Sequence, residues 1–202
     1  MKTIVILPPL VQLNTPYPSG AYLSAFFKGQ GHECHWYDMS VELVNAIFCR
    51  QGLEKLFLLT EKSALKKAEE FISSGDETSA SILREYIFQK KLWIDWIDPI
   101  MQILRDGTGF SSRELCHRFV FSPFVPHGNR MNRYLENLER EPCIDDARNL
   151  ACAAVEDLAD YITFVYDKNF SLIRYAESIA INEKSFHQIE SSIDSPLLKN
   201  FY

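Results

Sequence analysis

The chain of 202 residues has no apolar run approaching the ~18–20 residues needed to cross a bilayer, so no membrane partner is expected. It also lacks a basic stripe. Lys+Arg number 21 against Asp+Glu 27, a formal net charge of -6, and Lys66-Lys67 and Lys90-Lys91 are isolated pairs with carboxylates nearby. A nucleic-acid surface usually concentrates basic charge, so no nucleic-acid partner is expected either. Only 8 glycines are present, and they form neither a Walker loop nor a G-x-G-x-x-G turn. Gly29 and Gly31 follow a helical segment, the wrong place for a phosphate cradle. The apolar start Ile4-Val5-Ile6-Leu7 is stopped by Pro8-Pro9 with no small-residue cleavage site after it, which does not read as an export signal. Cys34, Cys49, Cys116, Cys143 and Cys152 are odd in number and irregular in spacing. That usage suits a reducing compartment, and a cytoplasmic protein is expected. In that setting Asn169-Phe170-Ser171 is a chance match to a glycosylation acceptor.

What is present is a core-forming composition, 47% apolar and 13% aromatic, in a chain long enough to fold without disulfides or metal. Residues 2–7, Lys-Thr-Ile-Val-Ile-Leu, run without polar alternation, as strands buried on both faces do. Ser19 reads as the N-cap of a helix through Tyr22, Leu23, Phe26 and Phe27, and Gly31 fits the left-handed position just past its end. A second strand follows over Glu33–Tyr37, ending at Asp38-Met39-Ser40. This is a strand–helix–strand unit with short connections and, by rule, a right-handed crossover. Ligands of open parallel sheets bind beyond the carboxyl ends of the strands, here Pro8–Asn14 and Asp38–Ser40.

From residue 41 onward the pattern is mainly helical. Val41–Phe48 and Leu53–Phe71 read as helices, and Ser73-Ser74-Gly75-Asp76 breaks the period. Ser81–Arg105 is strongly helical; Pro99 either kinks it or starts a new helix capped by Asp98. Phe119–Pro126 reads as an extended apolar stretch, Arg133–Glu141 as a short polar helix, and Asp145 or Asp146 opens a long helix through Leu150, Ala154, Leu158 and Tyr161. Further helices are expected around Leu172–Ala180 and Phe186–Ile193. The fold class is therefore α/β: a partial Rossmann-like strand–helix–strand unit at residues 1–45, and a large mainly helical remainder at 46–202. Two strands do not make an independent sheet, so additional strands must come from residues 110–126, from another chain, or from sequence beyond this chain.

The segments Ile6-Leu7-Pro8-Pro9, Tyr17-Pro18, Lys28-Gly29-Gln30-Gly31-His32-Glu33 and the strand ending at Asp38 together resemble the N-terminal cobalamin-binding-like domain of radical S-adenosylmethionine proteins. The close match covers about the first forty residues; the helical stretch after Val41 and the Ala176-Glu177-Ser178 segment look like the insertion of one bacterial subgroup. The resemblance implies an accessory domain that presents cobalamin (vitamin B12), or shapes a substrate site, for a catalytic domain of the same polypeptide. The 4Fe-4S cluster and S-adenosylmethionine would belong to that domain, because this chain has no Cys-x3-Cys-x2-Cys triad. It also lacks the Asp-x-His-x-x-Gly element that supplies a lower axial ligand to cobalamin elsewhere. Pro8, Pro9, Asn14, Tyr17, Asp38 and Ser40 are the expected cofactor contacts, with no catalytic residue and no metal ligand in this chain.

Each candidate has a plainer alternative. Asp38 either accepts ribose-type hydroxyls or caps the next helix together with Ser40. His32 and Cys34 share a strand face while His35 points away, so a buried thiol is favoured over a zinc site. Glu69-Glu70, Asp145-Asp146 and Asp157 with Asp160 read as solvated faces or caps. Cys143, before a helix start, is the best placed thiol for nucleophilic work, yet burial is the expected reading. A rival function is a helical interaction module, a homodimer for instance, packing through Trp93, Trp96 and Phe119–Phe124. A free-standing nucleotide-binding enzyme would need an acid–base pair near Asp38, and none is evident.

Overall fold

A computed structural model describes residues 2–8, 18–106, 112–168, 170, 172 and 195–201. In chain order these form β1 (Lys2–Leu7), α1 (Pro18–Gly29), β2 (Glu33–Asp38), α2 (Met39–Ile47), α3 (Arg50–Ser74), α4 (Glu77–Phe88), α5 (Lys90–Asp106), α6 (Arg113–Phe121), α7 (Asn129–Glu136), a 3-10 turn (Ile144–Asp146), α8 (Ala147–Val165) and α9 (Pro196–Phe201). The structure is mostly helical, with a two-stranded parallel sheet near the N-terminus. It divides into two compact units, Met1–Ala46 with Phe170–Tyr202, and Ile47–Asn169. The expected helices around 172–180 and 186–193 lie outside the described residues, Leu172 apart.

In the first unit β1 and β2 pair in parallel from Lys2 opposite Glu33 to Leu7 opposite Asp38. Proline needs no N–H donor in a helix's first turn, so α1 starts at Pro18, one residue before the expected Ser19 cap. Gly31 ends the turn after α1 at φ 77°, the left-handed conformation that glycine adopts without a Cβ clash. Gly20 and Ser24 face the sheet, and the Trp36 ring lies against Gly20. Strand alternation therefore puts Thr3, Val5, Cys34 and Trp36 on the side of α1. Ile4, Ile6 and Tyr37 fall on the opposite side and stay 63%, 55% and 46% exposed.

The second unit is a helical core built around α8. Eleven of its 19 residues are buried, five of them alanines, so α3, α5, α6 and α7 all approach it closely. Four aromatic rings from four helices meet there. Phe57 and Tyr161 lie 5.4 Å apart, Tyr86 and Tyr161 5.1 Å, and Tyr86 and Trp93 5.9 Å. Each buried ring contributes about 1.5–3 kcal/mol. The phenols find partners: Tyr86 Oη donates to the Asp157 carbonyl at 2.9 Å, and Tyr161 Oη shares a 2.8 Å bond with Thr60 Oγ1. Trp93 Nε1 is buried without an acceptor.

Four expectations for this unit are corrected. The helical stretch breaks at Gln89, not at Pro99, which lies inside α5. Asp98 is likewise inside α5, and its Oδ1 accepts from Arg50 N at 3.1 Å, so it supports the start of α3 rather than its own helix. Arg113–Phe121 is helical because Cys116 and Phe119, one turn apart, are buried together; the chain leaves the helix at Ser122 and turns at Pro123-Phe124. Trp93 is fully buried and belongs to the core, not to a contact face. Gly75 and Asp76 do break the chain as expected, the first as a left-handed C-cap of α3 and the second as the N-cap of α4.

The segment after α6 is fastened by long-range bonds. Trp96 Nε1 donates to the Phe124 carbonyl at 2.6 Å, and the Gln89 amide both accepts from His127 N (2.8 Å) and donates to the His127 carbonyl (3.1 Å). The chain then enters α7 at Gly128, which has no side chain to cap the helix. Asp157 of α8 takes that role, its two oxygens accepting from Arg130 N at 2.8 Å and Met131 N at 3.2 Å. A Cβ on Gly128 would overlap the Asp157 carboxylate, so close approach, not backbone conformation, selects glycine there. Asp157→Ala leaves those two donors without their acceptor. It is expected to lower unfolding free energy by about 1–3 kcal/mol. Gly128→Ala is expected to be at least as costly, because it displaces the same carboxylate. Urea unfolding of both variants checks this, and a near-neutral Gly128→Ala would contradict it.

Candidate functional site

The register places Leu7 opposite Asp38, so Pro8 and Met39-Ser40 emerge at the same end of the sheet. Of the six expected contacts, Pro9, Asn14 and Tyr17 lie outside the described residues. Pro8 is exposed and Ser40 is buried. Asp38 Oδ1 accepts from Ser40 N and Val41 N, each at 3.1 Å, and so caps the first turn of α2. Its Oδ2 carries no hydrogen bond and is the one polar atom of Asp38 open to a ligand. Pro8 and Asp38 Oδ2 are thus the expected contacts that the described residues leave accessible at this end of the sheet.

The other sequence candidates separate. Cys34 is buried, with its thiol toward the His35 carbonyl at 3.8 Å, while the His35 ring turns to Glu33 at 3.6 Å and His32 rests near the Phe27 ring. Among the described residues no three His, Cys, Asp or Glu side chains converge as metal ligands would. Cys143 precedes the 3-10 turn, where Arg140 Nη1 donates to its sulfur at 3.3 Å and Asp146 accepts from its backbone N at 2.8 Å. Asp146 is the centre of that knot. It is almost fully buried and receives both Arg140 nitrogens (2.7 and 2.8 Å) and the Tyr134 hydroxyl (2.8 Å).

The acids read as solvated faces divide sharply. Asp160 is exposed and takes Arg130 Nε and Nη2 at 2.6 and 2.9 Å, with Glu156 taking Nη1 at 3.2 Å. Asp157 is fully buried, and the expectation of a solvated face fails for it. Its place was visible in the spacing, since it falls on the apolar stripe of Leu150, Ala154, Leu158 and Tyr161. Two clefts flank these groups. One, of about 410 Å³, is walled by Tyr86, Tyr161 and Phe164; the other, of about 430 Å³, lies between α7 and α8 and is lined by Arg133, Asn137, Asn149 and Cys152. No motif marked the second cleft, because its residues come from two helices and share no spacing.

The chain matches no protein-family model, no curated protein and no solved structure. Geometry and chemistry therefore carry the functional reading. No helix among the described residues is long and apolar enough to cross a membrane.

Burial dominates the titration of Asp157, pushing its carboxyl up to about 6 against the pull of the two backbone N–H groups and Arg130. For an acid whose folded value is raised, the folded state holds the proton longer than the unfolded chain. Stability then falls as pH rises from about 4 to above 6, by about 3 kcal/mol from this group alone. Asp146 has the opposite sign: Arg140 holds it far below the usual range, so its contribution is present above about pH 4 and is lost below it. His127, lowered by burial, opposes Asp157 near neutral pH but does so in any Asp157 variant. The difference in unfolding free energy between wild type and Asp157→Asn should therefore shift by about 3 kcal/mol against wild type between pH 4 and 7. Urea titrations across that range measure it, and a pH-independent difference would refute the buried-carboxylate account.

Proposed function

We propose that this chain is an accessory domain of the cobalamin-binding-like N-terminal type found in radical S-adenosylmethionine proteins, built on a partial Rossmann-like unit and serving a catalytic domain outside these 202 residues. The observation that carries the reading is the bare sheet face. Parallel sheets are covered on both faces and rarely stand as two strands, yet Ile4, Ile6 and Tyr37 are exposed opposite α1. The two strands are also unlike. β2 carries Glu33, His35 and Asp38, as an outer strand does, whereas β1 after Lys2 presents only Thr-Ile-Val-Ile-Leu. In this reading further parallel strands add beside β1, and a helix covers Ile4 and Ile6. Pro8 and Asp38 Oδ2 would then border the ligand crevice of the completed sheet. The domain holds or shapes what the catalytic part acts on, and cobalamin is its expected ligand in the family it resembles.

A second reading has its own support. Phe88, Phe121 and Phe124 are exposed in the helical unit, with Phe124 at 72%. That favours an interaction module, although Trp93 and Phe119 are buried in the core and drop out of its surface. Sequencing the reading frame beyond codon 202 separates the two. The accessory-domain reading expects further β-α units leading into Cys-x3-Cys-x2-Cys. A stop codon directly after Tyr202, together with a stable dimer in light scattering, would overturn it in favour of the interaction module.

A further inference from the structure

We propose that the cleft between α7 and α8 is a binding site for the oxyanion group, phosphate or carboxylate, of a small ligand. Its walls are fixed before any ligand arrives. At one end Arg130 is tied to Asp160 and Glu156, and the start of α7 is held by Asp157. At the other end Asn149 Nδ2 donates to the Tyr134 hydroxyl at 3.0 Å, which donates onward to Asp146, itself gripped by Arg140. Arg130 is shared between Glu156 and Asp160, and Arg140 is matched by Asp146, so both arginines are already committed.

Between them sits Arg133, which lines the cleft and makes neither a hydrogen bond through its guanidinium nor an ion pair. Asn137, one turn along α7, lines the same wall, and its side-chain amide is also without a partner. Glu156 is the one carboxylate lining the cleft, and Arg130 occupies it. Arg133 is thus the cleft-lining guanidinium with no carboxylate of its own among the described residues, and its fork suits two oxygens of one anion. The Asn137 and Asn149 amides are placed to take the remaining oxygens or a neighbouring hydroxyl. A volume of about 430 Å³ is in the range of small-molecule sites.

The test is a titration of the full chain with inorganic phosphate and, separately, with acetate, at constant ionic strength set with chloride. Side-chain resonances of Arg133 Nε–H and of the Asn137 and Asn149 amides are followed by two-dimensional NMR. Saturable shifts at these groups with either anion are expected, and the stronger of the two identifies phosphate or carboxylate as the natural group. Arg133→Gln, an exposed substitution that leaves the backbone spectrum in place, should weaken that binding by about tenfold or more. Asn132→Ala, on the same helix but outside the cleft lining, should leave it unchanged. Linear shifts with both anions, shifts spread evenly over all arginines, or saturation that survives in Arg133→Gln would each overturn the proposal.

Discussion

The helical unit depends on a carboxylate inside its core. Asp157 lies on the buried face of α8 and ends the chain's path from α6 to α7 by accepting the two backbone N–H groups that Gly128 cannot cap. The arrangement is reciprocal. Glycine at 128 makes room for the carboxylate, and the carboxylate replaces the side chain that glycine lacks. From this point the fixed geometry spreads outward. The Asp157 carbonyl receives the Tyr86 hydroxyl and so locates the aromatic cluster, while the Arg130 side chain reaches Glu156, next to Asp157, and Asp160, one turn on. A buried charge is costly, and the raised carboxyl value is the expression of that cost. The return is a fixed start for α7, and with it one wall of the α7–α8 cleft.

The N-terminal unit is organised by a different shortage. Its backbone has the order and register of a parallel β-α-β unit, but its apolar side chains have too little to pack against. Ile4 and Ile6 sit on a strand whose pattern suits burial on both faces, yet they are 63% and 55% exposed, and among the described residues only α1 covers the sheet.

Much of this was readable from local signals. The first strand, the glycine after α1, the second strand, the Gly75-Asp76 break and the helix opening at Asp146 follow from propensity and capping chemistry, which act over a few residues. The mistakes share a cause. Gln89 interrupts two helices because its amide is committed to the His127 backbone 38 positions away. Phe119-Val120-Phe121 is helical because Phe119 and Cys116 are buried together, against the extended look of the run. Asp157 stood on an apolar stripe, yet its partner, a helix start without a capping side chain, is 29 residues earlier and unmarked by any motif. At the expected ligand end, Asp38 was legible as either a cap or a contact, and the geometry shows the cap occupying one oxygen and leaving the other. The α7–α8 cleft was not legible at all, since only the packing of two helices brings Arg133 toward Asn149.

A densely packed helical unit is joined in one chain to a two-stranded parallel sheet with an exposed apolar face. Amide hydrogen exchange on the full chain measures the difference in stability between the two residue by residue. The amides of Arg130 and Met131 and those of central α8 are expected to exchange only through global unfolding, and the amides of Thr3–Leu7 and Cys34–Tyr37 by local opening, many times faster. Equal protection of β1 and α8 would contradict that expectation, because a two-stranded sheet with a bare face would then be as stable as the core it is said to lack.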